Sequence, residues 1–181
     1  MTRMVKLFIA SSLDGYIARE DGSIDWLFTD ADYGYTKFFD SIDTILVGRK
    51  TYDQSLEFDE CPYKGKKVYV FTHDPQSKRS NQEKSVEYVG TNITGFVQHL
   101  TQQSGGKDIW LLGGGEIVSV LVNAGLVDAI ILSIHPIILG RGVSLFNNIW
   151  KQVNLKLEDS QSFNSGLVQL HYKVLKSAST Y

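Results

Sequence analysis

Two stretches of this chain run from an uninterrupted apolar segment into glycine and then straight into a helix start. The first is Ile45-Leu46-Val47-Gly48-Arg49-Lys50-Thr51, and the second is Ile109-Trp110-Leu111-Leu112-Gly113-Gly114-Gly115-Glu116. Strands that are apolar on both faces need helices on both sides, which belongs to parallel or mixed sheets rather than to sandwiches. Other short apolar runs at Met4–Ala10, Val68–Phe71 and Val86–Val89 read as strands. Helical patterns alternate with them. Asp30 is placed to cap a helix over Ala31–Ser41, and Arg49–Gln54 forms a short one. Thr94 is expected to cap a helix carrying Phe96, Val97 and Leu100. Ile117, Val118, Leu121 and Val122 line one face of another that stops at Gly125. The expected class is α/β: a mixed, mostly parallel sheet flanked by helices.

The last third changes character. Ala129–Leu139, Val153–Asp159 and Leu167–Leu175 are strand-like with no helix between them, so an antiparallel C-terminal hairpin should complete the sheet. Leu155 and Leu157, like Val168, Leu170, Tyr172 and Val174, alternate with polar residues as in a half-buried hairpin. His73–Lys84 reads as a surface loop. At 181 residues the expectation is one domain over residues 1–181.

A net charge of −2, from 18 basic and 20 acidic residues, argues against nucleic acid as a partner. The single cysteine, Cys61, permits no internal disulfide and suits a reducing, cytoplasmic setting. Arg3 and Lys6 precede too short an apolar run for a signal-peptide core. The segment Ala129–Leu139 is interrupted by Ser133, His135 and Pro136, short of the roughly 20 apolar residues that span a bilayer. No membrane partner is expected.

The chemistry should sit at the two glycine turns. A helix N-terminus offers unpaired N–H groups and a positive dipole end, and glycine lets a phosphate approach the backbone. Arg49 adds a planar charged fork and Thr51 a hydroxyl donor. Two such elements in one small domain favour a ligand with several phosphates. The third glycine of the Rossmann fingerprint and its ribose-binding acid are missing, and no GxxxxGK[ST] loop exists. A missing ribose acid with Arg49 present leans towards a 2′-phosphate, and so towards NADPH. His73, His99, His135 and His171 have no metal-ligand spacing and read as structural or surface residues. Trp26, Trp110 and Trp150 read as core or rim aromatics. Asp14 and Asp25 sit beside the expected nicotinamide side, where turn chemistry explains Asp14 equally well.

Several segments resemble the dihydrofolate-reductase-like family. They are Ser12-Leu13-Asp14-Gly15-Tyr16-Ile17-Ala18, Asp25-Trp26-Leu27, Val47-Gly48-Arg49-Lys50-Thr51-Tyr52, Phe71-Thr72, Leu112–Glu116, Gly125-Leu126-Val127-Asp128 and Pro136–Gly142. The resemblance is closest to the reductase domain of the bifunctional riboflavin-biosynthesis deaminase–reductase. It implies a three-layer fold and an NADPH-dependent reductase acting on a small heterocycle or its carbonyl or imine, like 5-amino-6-(5-phosphoribosylamino)uracil reductase. It assigns Gly48, Arg49, Lys50 and Thr51 to the adenosine phosphate, with Arg49 on the 2′-phosphate. Phe71 and Thr72 fall near the adenine. Gly113, Gly114, Gly115, Glu116 and Ile117 fall at the pyrophosphate, with the Glu116 side chain expected to face away. Ala10 and Ile17 flank the nicotinamide. Asp32 falls where the family places a substrate-gripping carboxylate, although Asp30 and Asp32 are both also candidates for the helix start. The resemblance further implies a cis peptide at Gly113–Gly114 and a homodimer, to which an aromatic content of 12% adds support. Trp26 lacks the proline neighbour of true folate enzymes, and the HxE and PCxxC zinc motifs of the deaminase are absent, so a free-standing reductase half is expected. A pterin reductase and a non-catalytic NADPH-binding regulatory protein remain the alternatives.

Overall fold

A computed structural model describes residues 2–57, 62–74 and 85–176. Cys61 and residues 75–84 of the expected surface loop lie outside the described residues. The strands are β1 Val5–Ser12, β2 Tyr16–Ala18, β3 Ile42–Gly48, β4 Lys67–Phe71, β5 Val86–Val89, β6 Asp108–Gly113, β7 Ala129–His135, β8 Val143–Ser144, β9 Asn154–Ser162 and β10 Val168–Leu175. The helices are α1 Tyr35–Ser41, α2 Arg49–Ser55, α3 Ile93–Gln102 and α4 Gly115–Asn123.

Eight strands form one sheet in the order β5-β4-β3-β6-β1-β7-β10-β9. All neighbours from β5 to β7 are parallel, and β10 and β9 complete the sheet as an antiparallel pair. The expected α/β class and its antiparallel C-terminal hairpin are therefore present. Strand alternation divides the core in two. Val5, Leu7, Leu46, Ile109 and Leu111 face α3 and α4 through Val97, Leu100, Ile117, Val118 and Leu121. Ile45, Val47, Val68, Val70 and Trp110 face the opposite layer, with Phe38 of α1 and Tyr52 of α2. Burying a leucine or isoleucine side chain is worth about 1.5–3 kcal/mol, so these two layers hold the strand ends in place.

The elements differ from the sequence reading at several places. Helix α1 starts at Tyr35 rather than Ala31, because Tyr33 and Gly34 take positive φ (49° and 79°) and break the preceding turn. Asn92 rather than Thr94 caps α3, its side chain accepting the Gly95 N–H at 3.2 Å. Strand β7 stops at His135, since Pro136 has no N–H to give the ladder. Only one strand of the C-terminal hairpin is half-buried: Tyr172 and Val174 of β10 pack against the core, whereas every residue of β9 is exposed, with Leu155 at 40% and Leu157 at 50%. That strand lies beyond the last helix, so neither of its faces is covered.

One pairing was not legible as strand. The turn-flanked Tyr16–Ala18 joins Val143–Ser144 in a separate two-stranded sheet beside the ends of the parallel strands.

Candidate functional site

In open α/β sheets, ligands lie beyond the carboxyl ends of the strands, where the chain turns away to opposite faces. Register places the candidate residues at that edge. Gly48 of β3 pairs with Phe71 of β4, and Val47 pairs with Gly113 of β6. Ala10 lies near the same end of β1, next but one to Ser12.

The two glycine turns touch. A methyl group on Gly48 would sit 3.4 Å from Ile117 Cγ1 and 3.6 Å from the Gly113 carbonyl oxygen. One on Gly114 would lie 3.4 Å from Thr51 Oγ1 and 3.7 Å from the Gly48 Cα. The starts of α2 and α4 therefore share one small space, edged by the side chains of Ile117 and Thr51. The expected cis peptide is absent: the Gly113–Gly114 bond is trans, and the chain turns there through positive φ at both residues (141° and 83°). Such angles suit glycine alone. Ile9 Cδ1 would lie 3.2 Å from a methyl on Gly113, which brings the end of β1, and so Ala10, alongside. Ile17 of β2 packs on the same core as Ile117.

Polar side chains ring this space. Arg49 is partly buried, and its Nε donates to Asp53 Oδ2 at 2.7 Å, one helical turn on. Its guanidinium carbon stands 5.0 Å from the centre of the Tyr88 ring. The Asp53 bond raises the guanidinium pKa further, with Asp53, Tyr88 and Asp74 charges acting in the same direction. Lys50 is exposed, while Thr51 and Thr72 are half-buried. Thr72 Oγ1 accepts the Asp74 N–H at 3.2 Å and so shapes the turn after β4. The exposed Glu116 side chain approaches His73 at 3.6 Å, linking the first turn of α4 to that turn. Both groups are almost wholly exposed, so the contact adds little stability.

Asp32 is not part of this cluster. It is exposed just ahead of α1, where its Oδ1 accepts the Thr36 N–H at 3.0 Å and the Thr36 hydroxyl at 2.6 Å. Those bonds, the hydroxyl first, hold its carboxyl below the usual carboxylate range. Asp30 instead accepts the Tyr33 hydroxyl at 2.7 Å, so Asp32 is the acid that holds the helix start.

The far side of the crevice is fixed by long-range bonds. Asp14 accepts the N–H groups of Leu139 and Gly140 at 3.1 and 2.8 Å and the Ser12 hydroxyl at 2.6 Å, pinning the 136–142 loop to the β1–β2 turn. Those contacts, led by Ser12, lower its pKa. Turn chemistry thus accounts for Asp14, and Asp25 pairs with Arg19 at 2.6 Å.

His135 is 3% exposed, its Nε2 accepts the Phe28 N–H at 3.2 Å, and Nδ1 lies 3.3 Å from the Ser133 carbonyl. This fixes a neutral ring protonated at Nδ1, packed on Trp26 and Phe28. Burial pushes its pKa down. The unfolded chain takes up the proton near the ordinary value of about 6.5, before the folded one does. Stability is therefore full above that pH and falls as the solution is acidified towards the folded-state pKa. The melting temperature of His135→Asn should lose that component of the acid slope, as pH-resolved thermal denaturation would show. An unaltered slope would refute the assignment.

Asp53 and Tyr88, the two residues that contact the Arg49 guanidinium, were not singled out from sequence. The i,i+4 spacing of Arg49 and Asp53 was the available signal for the first. Among the described residues, no group of three or more His, Cys, Asp or Glu side chains could hold a metal ion. No described helix is long and apolar enough to cross a membrane.

A six-strand parallel run with glycine turns meeting at its carboxyl edge, closed by an antiparallel pair, is a dihydrofolate-reductase-like fold. The dihydrofolate reductase of Enterococcus faecalis, solved with NADP(H) and RAB-propyl, superposes with a TM-score of 0.71 over 97% of this chain and 100% of its own, at 16% identity. The chain belongs to the RibD C-terminal domain family, whose model matches residues 3–169. A candidate riboflavin biosynthesis protein from Shewanella sp. PV-4 shares 27% identity, with a TM-score of 0.85 and coverage of 97% and 100%. The uncharacterized protein YyaP of Bacillus subtilis (strain 168) is 38% identical over 178 residues, 94% of each chain.

Proposed function

We propose that this chain is a cytoplasmic NADPH-dependent reductase, one domain over residues 1–181, that passes a hydride to a small heterocycle or its carbonyl or imine. The observation that carries this reading is the meeting of Gly48 with Gly113–Gly114 at the strand ends, with Arg49 beside it. Each glycine leaves backbone where a Cβ would stand, as close approach of a pyrophosphate requires. The donor set fits a 2′-phosphorylated dinucleotide: Arg49, Lys50, Thr51 and Thr72 around the adenosine end, and Gly114 to Ile117 at the pyrophosphate. Phe71 would lie by the adenine, and Ala10 and Ile17 would flank the ring at the other end. Bound NADPH supplies the hydride, from C4 of its nicotinamide. The chain's own task is alignment and exclusion of water. Membership of a family that includes riboflavin-pathway reductases points to a pyrimidine related to 5-amino-6-(5-phosphoribosylamino)uracil as the acceptor.

Asp32 is the carboxylate we assign to the acceptor ring. Both Thr36 bonds use Oδ1, which leaves Oδ2 to accept an N–H edge. Its lowered pKa keeps it ionised, so it anchors the ring while water delivers the matching proton. Asp32→Asn keeps the Oδ1 acceptor for Thr36 and removes the charge. Turnover should fall about tenfold, the cost of one charged hydrogen bond, with NADPH affinity held. Unaltered turnover would reduce Asp32 to a helix cap.

The reading is tested by following loss of NADPH absorbance with pterins, aminopyrimidines and other flavin precursors. Tight NADPH binding with no turnover of any acceptor would favour a non-catalytic nucleotide-binding protein.

A two-fold homodimer is also proposed. The C-terminal edge carries exposed Leu155, Leu157, Val168 and Leu175, with Trp150 at 77% nearby in the chain, and β9 has one open row of backbone groups. Light scattering at micromolar concentration should give twice the chain mass. A monomer mass would overturn this.

A further inference from the structure

We infer that Asp53 and Tyr88 are positioning residues that set the guanidinium plane of Arg49, and that this fixed plane, more than the positive charge, gives selectivity for a ribose phosphate monoester. The inference rests on the proposed role of Arg49 and deepens it.

The two residues come from different elements and constrain different parts of the same group. Asp53 lies one turn along α2 and takes the Nε hydrogen at 2.7 Å, fixing rotation of the fork about its long axis. Tyr88 lies on β5 and supports one face, 5.0 Å from the guanidinium carbon. The ring cannot shift to follow a moving side chain. It is 9% exposed, and it meets the Tyr52 ring edge-on at 6.1 Å and 89°. An arginine held on one edge and one face has lost most of its rotamers before any ligand arrives. Binding then does not bear that ordering cost. A planar fork also matches a phosphate in a way that a mobile point charge does not.

The electrostatics run the other way, which makes the idea testable. Asp53 carries a negative charge into the neighbourhood of an expected dianion, so as a mere counter-ion it would weaken phosphate binding. Removing it would then tighten binding. As a positioning residue, removing it loosens the fork and weakens binding. The Tyr88 hydroxyl is buried with no hydrogen-bond partner among the described residues, so phenylalanine there preserves what the ring does for Arg49.

The test is calorimetric titration of wild type, Asp53→Asn, Asp53→Ala, Tyr88→Phe and Tyr88→Leu with two probes, 2′,5′-ADP and 5′-ADP. Wild type should prefer 2′,5′-ADP by about ten- to a hundredfold, the range for one charged contact. Asp53→Ala and Tyr88→Leu should each lose about five- to tenfold in 2′,5′-ADP affinity, with 5′-ADP affinity held within about twofold. Asp53→Asn, which keeps an acceptor for Nε, and Tyr88→Phe should match or exceed wild type. Equal or tighter 2′,5′-ADP binding by Asp53→Ala overturns the inference, as does Asp53→Asn falling as far as Asp53→Ala. If Tyr88→Leu fails to fold, the Asp53 pair, on the partly exposed side of α2, decides alone. A wild type with no preference between the probes defeats the proposed role of Arg49 itself, a separate and recognisable result.

Discussion

Arg49→Ala is expected to weaken NADPH binding by about ten- to a hundredfold while NADH binding changes little. Hydrogen bonds to charged partners are worth roughly 1.5–3 kcal/mol, and 1.4 kcal/mol is a factor of ten. The upper end of the range is favoured by what the substitution leaves behind. Asp53 now pairs with Arg49, and Asp74 lies within its electrostatic reach. Removing the guanidinium leaves the negative charges of Asp53 and Asp74 near the incoming phosphate with one positive charge fewer among them. Arg49→Lys should fall between, since it restores a charge without the fork. Fluorescence titration with each cofactor measures all of this. An equal loss for NADPH and NADH would remove Arg49 from the 2′-phosphate.

The second large effect is on stability. Gly115→Ala should destabilise the protein, against the usual trend. In an ordinary helix that change is favourable by about 1 kcal/mol. Gly115, however, opens α4 directly beneath β8, and a methyl group there would run into the carbonyl oxygen of Ser144. Backbone has no rotamer by which to yield. The strand must move, and with it Leu145, which is 1% exposed and whose N–H donates to the Gly15 carbonyl at 2.9 Å. Overpacking of this kind costs about 1–3 kcal/mol, and for a chain of this length each kcal/mol lowers the melting temperature by about 2–4 °C. Thermal denaturation of the variant should therefore show a fall of several degrees. A rise would mean that β8 does not press on the start of α4.

How much of this was legible depended on the range of the interaction. The buried strands β3 and β6 were visible because burial on both faces demands an unbroken apolar run, and Thr44–Val47 and Ile109–Leu112 supply one. The glycine turns announced themselves by position after those runs. Their mutual contact did not, since it joins Gly48 to Gly114 across two chain segments. Asp14 looked like a turn residue and is one, yet its partners Leu139 and Gly140 are over a hundred positions away. The misreading of β9 has a similar origin. Its alternation of Leu155 and Leu157 with charged residues promises a covered face, but the helices end short of that edge, and alternation cannot say whether anything lies opposite. Asp32 illustrates a third limit. An acid ahead of a helix satisfies the helix first, and a sequence cannot tell whether its second oxygen has another use.

The sheet order has a consequence for synthesis. β1 leaves the ribosome well before β6 and β7, yet it sits between them, its register running from Val5 opposite Ile109 to Ser12 opposite His135. Both neighbours are made about a hundred residues later, which at ~5–20 residues per second leaves roughly 5–20 s between them. Throughout that interval Val5 and Leu7, which end with no exposure at all, have no ladder to join. β3, β4 and β5 can pair meanwhile, and their open edge offers β1 a wrong place next to β3. Holding factors that bind short apolar segments would therefore act on residues 5–12 during that interval. β1 must wait for both of its neighbours before it can take its place.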